Sequence, residues 1–232
     1  MTMKIHLALH YGMCFGVRDA LRTTHTAAKR RPVTLLGQLV HNPEVDRYLD
    51  QLGVQRGHLA QVEPAPTETV VISAHGAAQS SKDTWHQRGH DVVDTTCPLV
   101  RKAHDALDLL VREGYHPVII GQSDHVEVRG LLGDHPGAST LLSQDETHRL
   151  PFHDRYGVVA QTTQPLDRVL ELTDAIRHAH PRSEVRFIDT VCHPTKQRQS
   201  ALEDLCRICD TLVVVGGPNS NNTRQLADKA ER

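Results

Sequence analysis

The feature that most constrains this chain is a repeat in spacing. Three cysteines, Cys14, Cys97 and Cys192, each follow an apolar run and precede a helical pattern. The runs are Ile5-His6-Leu7-Ala8-Leu9, Val92-Val93-Asp94-Thr95-Thr96 and Val185-Arg186-Phe187-Ile188-Asp189-Thr190-Val191. Two cysteines share a local phrase, Asp94-Thr95-Thr96-Cys97-Pro98 and Asp189-Thr190-Val191-Cys192-His193-Pro194. After each helix comes another apolar run, then a glycine, and four residues past the glycine a polar group: Gly37 and His41, Gly121 and His125, Gly216 and Ser220. These polar groups stand 27, 28 and 28 residues after their cysteines. A third run ends in Ser73-Ala74-His75-Gly76 in the first stretch and Ala160-Gln161-Thr162-Thr163 in the second. Self-similarity at a fixed period marks units of one design set side by side.

β-rich runs at 33–36, 70–72, 118–120, 158–160 and 212–215 alternate with helical stretches at 101–113, 166–179 and 195–209. This alternation is the pattern of α/β units with parallel strands. The repeat divides the chain into units at 14–96, 97–191 and 192–232, the last with or without residues 1–13. The third unit is expected to be incomplete, because its second polar cluster would fall beyond about residue 250. Ligands gather at the carboxyl ends of strands in open α/β sheets. Units placed about a pseudo-threefold axis would therefore aim the cysteines, His41, His75, His125, Thr162 and Ser220 into one central cavity.

Composition removes several function classes. A net charge of -2 gives no bulk attraction to nucleic acid or to a membrane surface. Aromatics at 3% make a poor base-stacking surface. No apolar run is long enough to span a bilayer, and the start of the chain lacks a charged-then-apolar leader, so the expected location is cytoplasmic. Five cysteines in such a chain point to metal binding or catalysis before disulfides.

Each of the three cysteines opens a helix, where the partial positive charge favours a thiolate. Pro98 occupies a favoured first-turn position. Three converging thiolates suit zinc or an iron–sulfur cluster, and a cluster of four irons would keep one iron open to substrate. The alternative is that they are small buried hydrophobes. Cys206 and Cys209 form a Cys-x-x-Cys late in a helix, with no second pair at zinc spacing, and are read as core packing on one helix face. The strand-end histidines could ligate a metal, hold an anion or move protons. Ser220-Asn221-Asn222-Thr223 offers the donors of a phosphate site as well as a helix cap. Glu127, two residues from His125 in what reads as a loop, could donate a proton to a leaving hydroxyl, or be a solvated charge.

Several stretches together resemble the 4-hydroxy-3-methylbut-2-enyl diphosphate reductase family (IspH/LytB). They are Gly12-Met13-Cys14-Phe15-Gly16-Val17, Val40-His41-Asn42, Ser73-Ala74-His75-Gly76, Asp94-Thr95-Thr96-Cys97-Pro98-Leu99-Val100, His125-Val126-Glu127-Val128, Gln161-Thr162-Thr163, Asp189-Thr190-Val191-Cys192 and Asn219-Ser220-Asn221-Asn222. The resemblance implies a trefoil of three α/β units around a 4Fe-4S cluster held by Cys14, Cys97 and Cys192. It implies reductive dehydroxylation to isopentenyl and dimethylallyl diphosphate, in isoprenoid precursor synthesis by the MEP pathway. Glu127 would donate the proton, supported by His125 and Thr162. His41, His75, His125, Thr162, Ser220, Asn221 and Asn222 would bind the substrate. Electrons would come singly from a carrier such as ferredoxin or flavodoxin. The chain departs from the family at Met13, Asp19, Val126, Asn221 and Thr223, and lacks a late Gly-x-Thr-Ala-Gly-Ala-Ser segment. Two other functions fit the same residues: a non-catalytic iron–sulfur or redox-sensing descendant, and a zinc-dependent hydrolase.

Overall fold

Short runs of Val, Ile and Leu between helix caps have no room to be helices, and they pair as strands. The computed structural model describes residues 4–231. From Cys14 the order is α1 (Phe15–Arg30), β1 (Val33–Leu36), α2 (Pro43–Gln51), β2 (Gln55–Gly57), β3 (Thr69–Ile72), α3 (Gln79–Gln87) and β4 (Asp91–Asp94). From Cys97 follow α4 (Pro98–Arg112), β5 (His116–Ile120), α5 (Val126–Asp134), β6 (Ser139–Leu141), a 3-10 turn (Gln144–Arg149), β7 (Arg155–Ala160), α6 (Leu166–Ala179) and β8 (Glu184–Phe187). After Cys192 come α7 (His193–Cys206) and α8 (Asn221–Ala230).

The strands make two sheets of the same design. One runs β2-β1-β3-β4 and the other β6-β5-β7-β8, with every pairing parallel. The register sets Leu35 beside Val71 and Ile119 beside Val159. Alternate residues of a strand face opposite ways, and both faces are covered. Leu35 and Val71 pack with Val45 and Leu49 of α2, whereas Val70 and Ile72 pack with Trp85 of α3. In the second sheet Val118, Ile120 and Val158 meet Val169, Leu172 and Ile176 of α6. Ile119 and Val159 meet Leu107 and Leu110 of α4 and Leu131 of α5. Parallel sheets covered on both sides read as continuous apolar runs, which is why these strands were visible in the sequence. Their carboxyl ends carry the loops that hold His41, His75, His125 and Thr162.

Four expectations are corrected. Residues 5–9 and 212–215 are not strands. Ile5, Leu7, Leu9, Val213 and Val215 are 69–89% exposed, so strand-forming composition here has found no neighbouring strand. Among the described residues the stretch after Cys192 contributes helices and no sheet. Helix α7 stops at Cys206 and does not reach Cys209; Cys206 is exposed and Cys209 half-buried, so this pair is not core packing. Glu127 lies in the first turn of α5, not in a loop, and it is buried.

Candidate active site

The three cysteines hold equivalent positions. Cys14, Cys97 and Cys192 are the N-caps of α1, α4 and α7, and all are free thiols. The shared phrase explains how two of them are set. Asp94 Oδ1 accepts the Thr96 amide at 2.9 Å, and Asp189 Oδ1 accepts the Val191 amide at 3.1 Å. Such Asx turns stop the strand and turn the chain. The Thr95 hydroxyl then donates to the Ile72 carbonyl at 2.5 Å, and the Thr190 hydroxyl to the Ala160 carbonyl at 2.6 Å. Finally the Cys97 amide donates to Ala74 and the Cys192 amide to Thr162 (3.0 and 2.9 Å). Each cysteine is therefore pinned to the loop after the neighbouring strand, the loop that also carries His75 in one case and Thr162 in the other. Cys14 is held differently. Arg198 of α7 donates to the Gly12 carbonyl at 2.7 Å, tying the Cys14 loop to the helix that Cys192 caps. A Cβ on Gly16 would sit 2.4 Å from Cys97 Sγ, so any side chain at this position of α1 would displace the second thiol.

Burial opposes the thiolate character that the helix starts suggested. It raises the Cys97 and Cys192 thiols above the ordinary value, with the charges of Cys14 and Glu127 adding to the rise. Three thiolates brought together by these helix starts would need a cation among them. The donor set fits a soft, positively charged group. The ligand atoms of His41, His75 and His125 all lie within 4.8 Å of one another.

His41, His75 and His125 meet although 84 residues separate the first from the last. The His41 and His75 rings stack at 4.4 Å, and His125 stands edge-on to both at 5.4 Å. Burial lowers all three pKa values, His125 to about 4 and His75 well below its ordinary range. The rings are neutral at pH 7. His125 caps α5, and its Nδ1 accepts the Glu127 amide at 3.1 Å. In the neutral ring Nε2 then carries the proton, which makes it a donor to an anion and removes it as a metal ligand. His75 Nδ1 is buried without a partner.

Glu127 is 1% exposed. Its Oε1 accepts the Thr162 amide at 2.6 Å and its Oε2 the Thr162 hydroxyl at 2.9 Å. Burial raises its pKa to about 7, against the opposing pull of the Thr162 bonds and of His104. A carboxyl near half-protonated at neutral pH, close enough to Cys97 and Cys192 to shift them, is matched to giving up a proton.

Ser220 caps α8, its hydroxyl accepting the Thr223 amide at 3.3 Å. Asn221 is buried with its amide donating to Thr163 Oγ1 at 2.8 Å, which locks α8 to the Thr162 loop. A Cβ on Gly217 would fall 2.4 Å from the His41 carbonyl, so the loop before α8 lies directly on the His41 loop. Arg224 was not singled out from the sequence. It donates to Gln122 at 3.2 Å and its charge reaches His41 and His125. Its one signal is position, one turn past Ser220 on α8.

The profile of the LytB protein family matches residues 5–232. The 4-hydroxy-3-methylbut-2-enyl diphosphate reductase of Trichlorobacter lovleyi is 37% identical over 229 residues, covering 97% of this chain and 80% of that protein. The protein of the same name from Syntrophotalea carbinolica is 36% identical, with coverages of 97% and 80%. A solved structure of (E)-4-hydroxy-3-methyl-but-2-enyl diphosphate reductase, described as the terminal enzyme of the non-mevalonate pathway, superposes with a TM-score of 0.75 at 34% identity over 98% of this chain and 82% of that one. The Plasmodium falciparum E-1-hydroxy-2-methyl-but-2-enyl-4-diphosphate reductase superposes with a TM-score of 0.86 at 26% identity, over 95% and 70%. By that profile and these relatives the chain belongs to the LytB family of reductases.

Proposed function

We propose that this protein removes the hydroxyl of 4-hydroxy-3-methylbut-2-enyl diphosphate by reduction, giving isopentenyl and dimethylallyl diphosphate. The observation that carries the reading is Glu127: a fully buried carboxyl with a pKa of about 7, set beside the cysteines and bonded at both oxygens to Thr162. Breaking a C–O bond reductively needs a proton on the departing oxygen and a site closed to water. Cys14, Cys97 and Cys192 would hold a 4Fe-4S cluster, which when bound supplies electrons one at a time and a site for the substrate oxygen. The electrons come from an external carrier of the ferredoxin or flavodoxin kind.

The chain's own residues do the rest. His41, His75, His125, Ser220 and Asn222 face the diphosphate, with the Asn221 amide holding the loop in place. His125 presents Nε2–H to a phosphate oxygen because its Nδ1 is occupied by the Glu127 amide. Arg224 adds positive charge at the same end. Thr162 orients Glu127, its amide and hydroxyl each donating to one carboxylate oxygen. The His125 tautomer also argues against a zinc hydrolase built on the histidines.

The test is Glu127→Gln in anaerobically prepared protein. The expected outcome is full iron and sulfide content, unchanged diphosphate binding and turnover lower by about 10²–10⁴. Near-normal turnover would sink the assignment. In parallel, Ser at each of positions 14, 97 and 192 should strip most of the iron, while Cys206→Ser and Cys209→Ser should not.

A further inference from the structure

The three cysteines open their helices alike, yet the residues three places on differ. They are Val17 after Cys14, Val100 after Cys97 and Thr195 after Cys192. The Thr195 hydroxyl oxygen lies 3.1 Å from Cys192 Sγ. Thr195 is 2% exposed, so water does not compete for that hydroxyl. Other buried helical threonines bond back to the carbonyl four residues earlier, as Thr24 does to Ala20 at 2.9 Å and Thr173 to Val169 at 2.8 Å. Thr195 sits in the first turn of α7, where the residue four places back precedes the helix. The carbonyl of the cap itself, Cys192, accepts the Thr195 amide at 3.0 Å. The hydroxyl has gone to the sulfur instead. The sulfur's own residue is fixed from the other side, because the Cys192 amide donates to the Thr162 carbonyl at 2.9 Å.

A free thiol could donate across the Thr195 contact. A sulfur that holds a metal has lost its proton and only accepts, so the hydrogen must then be the hydroxyl's. Valine has nearly the same shape as threonine and no hydrogen to give, so Cys14 and Cys97 lack this donor at the matching position.

We propose that Thr195 donates to Cys192 Sγ in the loaded protein and thereby raises the reduction potential of the group that the three cysteines hold, which makes Thr195 a positioning residue for the reaction. The inference rests on the cluster and reductase reading. One electron arrives from the external carrier, and part of its negative charge spreads onto the sulfurs. A donor on a sulfur bonds more strongly to that electron-rich form than to the oxidised one, so it favours reduction. Thr195 keeps its proton throughout and acts only through the sulfur.

The test compares anaerobically prepared, cluster-loaded wild type with Thr195→Val and Thr195→Ser. Potentiometric titration should place the midpoint of Thr195→Val lower by about 59 mV, which is a tenfold less favourable one-electron reduction. Iron and sulfide content should stay unchanged. Resonance Raman should show a stiffer iron–thiolate stretch in Thr195→Val, because the sulfur no longer shares its charge with a donor. Thr195→Ser keeps the hydroxyl and should match the wild type in both readouts. An unchanged potential in Thr195→Val overturns the proposal. So does an equal fall in Thr195→Ser, which would trace the effect to the lost methyl. If Thr195→Val loses its iron, the hydroxyl is structural and the proposal is likewise overturned. A wild-type protein that takes up no iron and sulfide removes the cluster reading, and this proposal with it. The expected shift in a protein that never turns over 4-hydroxy-3-methylbut-2-enyl diphosphate would instead remove the reductase reading and leave the Thr195 bond to the sulfur standing.

Discussion

Glu127 is fully buried and His75 partly so, and burial pushes their pKa values in opposite directions. It keeps the proton on the acid and takes it off the base, since each favours its neutral form in a dry cavity. A bound diphosphate reverses the balance for the histidines, because its negative charge favours imidazolium. Groups whose pKa is raised in the complex take up protons on binding, so affinity must rise as pH falls. Titration calorimetry with inorganic diphosphate, run in buffers of different ionisation enthalpy at pH 8 and 6.5, should show net proton uptake and tighter binding at the lower pH after the ligand's own titration is subtracted. No uptake would mean that the rings bind the anion in their neutral form. At this scale the sequence was legible where a residue sits at a repeat position, as His41, His125 and Ser220 do. It was not legible for Arg224, whose role depends on which helix faces meet. The buried state of Glu127 was equally invisible, since a Glu in the first turn of a helix is usually a solvated charge.

The Asp-Thr-x-Cys phrase acts as an element in its own right. Its Asp ends a strand, its Thr clamps the neighbouring strand, and its Cys starts the next helix. The clamp is tightest in the second copy, where Thr190 Oγ1 both donates to the Ala160 carbonyl and accepts the Ala160 amide at 2.8 Å. Thr190→Val keeps the shape and leaves two buried backbone groups without partners, at a cost of about 1–3 kcal/mol for each. Urea unfolding should show a loss of that order, and the cysteine beyond it should bind iron less tightly. A stability change under half a kilocalorie would mean that water enters and satisfies the strand end. The central strands β1, β3, β5 and β7 and the three helix starts were readable in advance, because runs covered on both faces are uniformly apolar and each cysteine stood at a change of period; the short edge strands β2 and β6, polar and half-open, were not. The error over residues 212–215 arose because a strand needs a neighbour as well as suitable residues.

In the whole molecule two sheets are each covered on both faces, while the stretch after Cys192 holds on by helices alone. Lys229 of α8 reaches Asp167 of α6 at 3.0 Å and Glu203 of α7 at 2.8 Å, and Arg198 reaches back to Gly12. Alongside lie Val213 and Val215 at 83% and 89% exposure, and Ile5, Leu7 and Leu9 nearly as open. Extended apolar segments left open in this way invite pairing with other chains. Sedimentation velocity should show association that grows with concentration and shrinks in a Leu7→Thr, Val213→Thr, Val215→Thr variant; identical profiles would mean that these side chains are covered in solution. The placement of the cysteines carries one more consequence. Each thiol comes from a different stretch of chain, and among the described residues no sheet crosses between those stretches. A group bound by all three acts as a clasp, because it binds the folded arrangement and not the open chain, so its affinity is added to the cohesion of the molecule. Losing that clasp to oxidation would loosen the Cys14 loop and α7 first. Chemical damage at the centre would then be felt as mechanical slackness at the rim, long before either sheet comes apart.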